Sequence, residues 1–424
     1  MGKRFSFIHC ADLHLGEPFA GLRSGDVGPW TEAMGKATFR AFETVVDTAL
    51  TAHVDAILIS GDVYNDSHHS LAAQLSFARE MYRAAQSGIE VFIVHGNHDP
   101  DDAWRADIPL PESVHIFPSD HTAAFPLFVE GERVATIYGR SYAARHVREN
   151  LAASFVREAD DGFAIGMLHT ELGVPDSPYA PAAADDLKKA GMDYWALGHV
   201  HTRAVVSENP YIVYPGNIQG LHQKETGPRG CYLVDIGTFG TVTLDFKETD
   251  SICWLDLPFD ITPYENAEAL LAEIRRVRAG LKQETNRPNI VRLVFTGSGP
   301  LHRVIASEVG REYLFQNLNE REQFRHVFTY FASIEDRTRS ELDLAARREL
   351  PDGCGDFLRA YDEAAKLPAE DLSALLADIA KGQPELTKIP GLSGLMDEDM
   401  RLRAFRRAEL LGAESLALEA EDEN

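Results

Sequence analysis

The sequence has 424 residues, enough for two or three compact domains with a sizeable buried core. Hydrophobic residues make up 44% and charged residues 25%, and no apolar run approaches the roughly 20 residues needed to cross a bilayer, which excludes a transmembrane segment. The 41 basic and 66 acidic residues leave a net charge of −25, which opposes nonspecific attraction to a polyanion. Exposed charges are screened beyond about 8 Å at physiological salt, so local patches and bound divalent cations decide such affinity more than the total does.

The first apolar run, FSFIHC, reads as a buried strand and lacks the length and cleavage site of a secretory signal, so a cytoplasmic protein is expected. Phe39, Phe42, Val45, Val46, Ala49 and Leu50 then recur at helical spacing. The run AILIS follows, then a helix over about 71–85, then VFIVH, VATIYG, FAIGML and YWAL. Alternating short apolar runs with helices predicts an α/β domain with a partly parallel central sheet. After YIVYPGNIQG, the stretch CYLVDIGTFGTVTLDFKE predicts a β-hairpin around Gly237 and Gly240 that closes a first domain over 1–250. Residues 251–306 read strand, helix, strand (WLDLPFD, a helix over 266–282, IVRLVFTG), a small α/β domain close to neutral in an acidic chain. From 307 to 424 the pattern is helical and polar, broken by Pro351, Pro368, Pro384 and Pro390, with an apolar stripe of Leu372, Leu375, Leu376 and Ile379. Cys10, Cys231, Cys253 and Cys354 lack metal-binding spacing and are expected to be buried thiols.

Five of the apolar runs end in residues that bind metals or move protons. FSFIHCA leads into Asp12 and His14, AILIS into Asp62, VFIVH into Asn97 and His98, AIGML into His169, and YWAL into His199 and His201. In open α/β sheets ligands collect at the carboxyl ends of strands, so these groups should form one cluster despite their distance in sequence. Two carboxylates, an amide carbonyl and four imidazoles offer oxygen and nitrogen donors without sulfur, which suits Mn²⁺, Fe²⁺ or Zn²⁺. That is more donors than one ion needs if it must also hold water and substrate, so two ions with Asp62 as the shared carboxylate fit better. Two ions about 3.5 to 4 Å apart lower the pKa of a bound water and neutralise a phosphate, so the reaction class is phosphoester hydrolysis. His98 is not needed to complete the coordination and is left as the catalytic acid.

A lone histidine or a single Asp-x-His is more often structural; here the weight comes from five such strand ends in order. The other histidines carry no such signal: His9 and His95 are expected in the core, and His53, His68, His69, His115, His121, His146, His222, His302 and His326 at the surface.

This order of motifs resembles the calcineurin-like metallophosphoesterases, and within them the SbcD-type DNA double-strand-break repair nucleases. The phrases FIHCADLHLG, MDYWALGHVH and YPGNIQGLHQKETGPRGCYLVDI are similar to the bacterial YhaO-like branch. The resemblance implies a four-layer sandwich of mixed sheets flanked by helices. It implies one ion on Asp12, His14, Asp62 and His201, the other on Asp62, Asn97, His169 and His199, and His98 as proton donor. It further implies manganese, a DNA exonuclease activity with endonuclease activity possible in the family, a capping domain at 251–306, a homodimer, and a C-terminal segment that docks on an SbcC-type coiled-coil ATPase. Val63-Tyr64-Asn65-Asp66 departs from members that carry a histidine or aspartate after Gly-Asp. Candidate DNA contacts are Arg140, Arg203, Lys224 and Arg229 beside the motif loops, and Arg275, Arg276 and Arg278 on the capping helix. The competing readings are another phosphoesterase of this fold, acting on a nucleotide or phosphoprotein, and a non-catalytic scaffold.

Overall fold

The period-2 alternation of the first strand sets up the whole architecture. In β1 (Phe5–Cys10), Phe5 and Phe7 face one core while Ile8 and Cys10 face another. β2 (Ala56–Ser60) repeats this, with Ala56 and Leu58 on one face and Ile57 and Ile59 on the other. A computed structural model describes residues 3–22, 29–65, 70–158, 162–320, 322, 325–381 and 398–422. His68, His69, Pro384 and Pro390 lie outside these.

The chain continues through β3 (Glu90–Val94), β4 (Val114–Ile116), β5 (Ala123–Val129), β6 (Glu132–Gly139), β7 (Phe163–His169), β8 (Tyr194–Gly198), β9 (Ala204–Glu208), β10 (Tyr211–Tyr214), β11 (Gly230–Ile236) and β12 (Val242–Glu248). These form two six-stranded sheets, β12-β11-β1-β2-β3-β4 and β5-β6-β7-β8-β10-β9. Both are mixed: β1 to β4 run parallel while β11 and β12 pair antiparallel, and β6, β7, β8 and β10 run parallel between antiparallel edges. The predicted hairpin is β11–β12, turned where Gly237 N–H donates to Thr241 O at 2.9 Å.

Apolar side chains of both sheets interdigitate between them, including Phe7, Leu58, Phe92, Ile137, Ile165, Met167 and Val213. Outside the first sheet lie the predicted helices, Ala37–Ala52 and Leu71–Gln86, which bury Phe42, Val45, Phe77 and Met81 against Ile8, Ile57 and Ile93. Outside the second, Trp195, Leu197 and Ile212 pack on Leu187 and Phe155. The layers are thus helix, sheet, sheet, helix, as expected. Two polar residues cross the inner seam: His9 contacts Tyr194 Oη at 3.0 Å and Leu197 O at 3.2 Å, and Ser60 Oγ donates to Ala196 O at 2.9 Å. His9 is a core residue, as its place in a strand predicts, and its burial pushes its pKa down to about 3, so the ring stays neutral.

A third sheet follows, ordered β13 (Cys253–Asp260), β14 (Asn289–Thr296), β15 (Thr329–Asp336), with a helix over Ala267–Thr285. The third strand was not predicted. Its first four residues are buried on both faces, so the run has no alternation to read. Further helices cover Glu308–Asn319, Gly353–Ala365, Ala369–Lys381 and Glu398–Asp422. The chain divides into two compact units, Met1–Leu257 with Glu273–Leu293 and Leu314–Glu335, and Pro258–Ala272 with Val294–Tyr313 and Asp336–Asn424. No helix among the described residues is long and apolar enough to cross a membrane. All four cysteines are buried and unpaired.

Candidate metal centre

β1, β2, β3, β7 and β8 run parallel within their sheets, and each ends just before, or on, a residue singled out by its motif. The turns that follow are unusual. Asp12, His14, Asp62 and His199 all have positive φ, at 52°, 43°, 54° and 103°. Such conformations cost L-residues on the order of 1–3 kcal/mol each and persist only where the surroundings impose them. Here the first two motif loops are laced together: Asp12 N–H donates to Gly61 O, and His14 N–H to Asp62 O, both at 3.0 Å. Asp99, the last residue of the GNHD run, then ties the second loop to the third. Its carboxylate accepts from the amides of Asp62 (3.1 Å), Val63 (2.8 Å) and Gly96 (2.8 Å). Small residues make room. A Cβ on Gly61 would lie 2.4 Å from His169 Nδ1, and one on Gly96 would lie 2.3 Å from Asp62 Oδ1.

All seven proposed ligands converge. Asp62 lies between two sets of imidazoles, its Oδ2 being 3.8 Å from His14 Nε2 and 3.4 Å from His169 Nε2. His14 Nε2 and His201 Nε2 are 3.1 Å apart on one side. On the other, Asn97 Oδ1 lies 3.0 Å from His169 Nε2 and 3.2 Å from His199 Nδ1. Ligand atoms of Asp12, His14 and His201 form one compact group, and those of Asp12, Asp62 and His169 another. The His199 amide donates to both Asp12 oxygens, at 3.1 and 3.2 Å. The His98 ring stands 5.0 Å from that of His14, its amide donates to Asp62 Oδ1 at 2.9 Å, and its buried Nδ1 has no hydrogen-bond partner among the described residues.

The chemistry of this set fits cations. His169 Nδ1 faces Ser60 O at 2.9 Å and therefore carries a proton, so Nε2 is the atom turned toward the acceptors Asn97 Oδ1 and Asp62 Oδ2. His201 Nδ1 likewise donates to Glu225 Oε1 at 2.6 Å, leaving its Nε2 to face His14 Nε2. Acceptors turned toward one another in this way call for positive charge or a proton among them, which protonated imidazoles or bound cations supply. The titration shifts express the same demand. Burial alone would raise Asp62, yet the neighbouring His169 and His14 rings hold it well below the usual carboxylate range. Burial would lower His169, but the Asp62 carboxylate pushes it up to about 9.

Several supporting residues escaped the sequence reading. Glu225, Asn217 and Ser60 touch ligand residues, and the Tyr179 ring lies tilted against His199 with centroids 4.8 Å apart. Glu225 stood inside a quoted motif and Asp99 directly follows His98, neither with a role assigned. Nothing in a sequence marks a backbone carbonyl such as that of Ser60.

The candidate DNA contacts divide. Arg203 is exposed and lies over the Phe246 ring at 3.7 Å, and Lys224 and Arg275 are exposed. Arg276 is exposed and paired with Glu273 at 2.8 to 2.9 Å. Arg140 is half-buried, donating to Ser119 O at 3.2 Å. Two need correction. Arg229 is buried, its guanidinium donating to His201 O at 2.5 Å and Asn217 Oδ1 at 3.2 Å, so it faces the protein and not solvent. Arg278 donates to Leu318 O at 2.7 Å beside the buried carboxylate of Glu322, 3.7 Å away, and is likewise committed internally. His302, expected at the surface, is buried between Thr338 and Glu414.

The two mixed sheets and the imidazole-carboxylate cluster at their strand ends place this chain in the calcineurin-like metallophosphoesterases, to which it belongs; residues 5–203 match the family described as calcineurin-like phosphoesterase. Residues 254–339 match the family described as the middle domain of metallophosphoesterase YhaO. The metallophosphoesterase YhaO of Bacillus subtilis is 39% identical over 342 residues, covering 80% of this chain and 83% of that one. The DNA double-strand break repair protein Mre11 of Sulfurisphaera tokodaii is 26% identical, across 82% of this chain and 85% of its own. Its namesake in Methanocaldococcus jannaschii is 27% identical, across 58% and 67%.

Proposed function

We propose that this chain is a two-metal phosphodiesterase that hydrolyses DNA, acting as an exonuclease and working with an SbcC-type ATPase as a homodimer in double-strand-break repair. The observation that carries the reading is the position of Asp62, whose Oδ2 lies 3.8 Å from His14 and 3.4 Å from His169, facing imidazoles of both donor sets. Asp12, His14 and His201 would hold one ion with Asp62. Asn97, His169 and His199 would hold the other with the same carboxylate. When bound, two divalent ions, manganese being the expected pair, supply an activated water and neutralise charge developing on the phosphate.

The protein's own groups do the rest. Asp99 fixes the Asp62 and Gly96 loops so that the donors are already placed before substrate arrives. His98, its ring 5.0 Å from that of His14 and its amide on Asp62 Oδ1, stands beside both donor sets and would supply the proton to the leaving oxygen. Arg203, flattened on Phe246 two residues beyond His201, offers a cation to the phosphate chain. The DNA assignment draws its support from the relatives named as double-strand break repair proteins over most of their length.

End-labelled linear duplex incubated with Mn²⁺ tests this, beside a His98→Ala variant, an EDTA control, bis(p-nitrophenyl) phosphate and p-nitrophenyl phosphate. The expected result is shortened DNA and a cleaved diester that both controls abolish. Cleavage of the monoester alone would keep the metal site and remove DNA as substrate.

A further inference from the structure

The stretch linking β10 to β11, YPGNIQGLHQKETGPRG in the sequence, contributes no proposed ligand, yet among its buried polar side chains are Asn217, Glu225 and Arg229. They form a closed ring of hydrogen bonds around His201. His201 Nδ1 donates to Glu225 Oε1 at 2.6 Å, and Asn217 Nδ2 donates to Glu225 Oε2 at 3.0 Å. Arg229 Nη1 donates to Asn217 Oδ1 at 3.2 Å and to the carbonyl of His201 at 2.5 Å, which closes the circuit on the residue where it began. The Asn217 amide also reaches that carbonyl, at 3.3 Å. Gly216 lets the segment come this close, since a Cβ there would lie 2.7 Å from His201 O. One histidine is thus gripped at ring and backbone together.

A buried carboxylate and guanidinium are costly to desolvate, and loop closure alone does not require them. Glu225 does accept from the Leu221 amide at 2.7 Å, and a merely structural role would stop there. The hydrogen bond to His201 adds a second consequence: it fixes the proton on Nδ1 and leaves Nε2 as a lone pair directed toward His14.

We propose that Glu225 is a positioning residue, which through this ring fixes the tautomer and direction of His201 and so sets the affinity of one of the two metal ions. The proposal rests on the two-metal reading above. Calorimetric titration with Mn²⁺ tests it on wild type, Glu225→Ala, Glu225→Gln, His201→Ala and the double variant His201→Ala with Glu225→Ala, with melting curves in EDTA as a check on folding. Wild type should bind two ions, and Glu225→Ala should weaken one of them by about ten- to a hundredfold while sparing the other. Glu225→Gln, whose amide oxygen still accepts from Nδ1–H, should recover part of that loss. In the His201→Ala background, removing Glu225 should cost nothing further. Unchanged affinity in Glu225→Ala overturns the proposal, as does an equal loss at both ions or a loss that persists without His201. Wild type that binds no divalent ion is a separate result, overturning the two-metal reading before any variant is consulted.

Discussion

At the scale of single residues, the centre separates groups that would hold metal from one that would move a proton. His98→Ala should lower kcat on the diester by roughly 10² to 10⁴, the usual worth of a general acid, while calorimetric Mn²⁺ binding stays at the wild-type value. A parallel loss of metal would make His98 a ligand instead. Away from the centre, Asp250 is buried beside Arg287 at 3.1 Å, and its pKa is pushed up to about 6 by burial against the opposing pull of that guanidinium. Its folded value exceeds the ordinary 3.8, so the folded state keeps a proton that the unfolded chain has released. Stability is therefore fully present below about pH 4 and falls as pH rises through about 6, by on the order of 3 kcal/mol. Urea melts at pH 4.5 and 7.5 should show this fall in wild type and a flatter profile in Asp250→Asn. The sequence made the centre legible because Asp, Asn and His recur just past apolar runs, where strand geometry leaves one place for them to point. It did not reveal Arg229 or Arg278 as internal. An arginine's exposure depends on acceptors far along the chain, here the carbonyls of His201 and Leu318.

At the scale of elements, the two helices over the first sheet and the β11–β12 hairpin follow from periodicity and glycine placement. The division into two sheets does not, because both are built from the same kind of parallel run and β11 returns to the first after six strands of the second. Packing between neighbouring strands β7 and β8 is close: Trp195, fully buried, lies over Gly166, where a Cβ would come within 2.6 Å of its ring carbons. The Trp195 Nε1–H bond to Leu187 O at 3.0 Å prevents the ring from retreating without loss. Gly166→Ala should thus destabilise by about 1–3 kcal/mol in urea denaturation, the usual cost of overpacking. A neutral result would mean that the tryptophan has room to shift.

At the scale of the whole molecule, ions that bind only the folded centre must stabilise it. Manganese at about a hundred times its dissociation constant should contribute about 2.7 kcal/mol per site, read as a rise in melting temperature over EDTA that is reduced in His14→Ala. An equal rise in that variant would place the ion elsewhere. The surplus of acidic residues, −25 overall, has a related consequence: DNA should be held less in EDTA than with Ca²⁺, since the ions offset repulsion that the exposed arginines cannot offset alone.

The pairing of β1 with β11 also bears on synthesis. Phe5 lies opposite Ile236, so the strand that leads into Asp12 and His14 keeps one edge open until more than half the chain has been made. At about 5–20 residues per second, that interval is on the order of ten to fifty seconds. Until it ends, a nascent chain exposes the unpaired edge of a largely buried strand and has no Glu225 ring behind His201. The ribosome-bound intermediate is thus the form of this protein most exposed to mispairing, and the one with most to gain from a chaperone that shields β1.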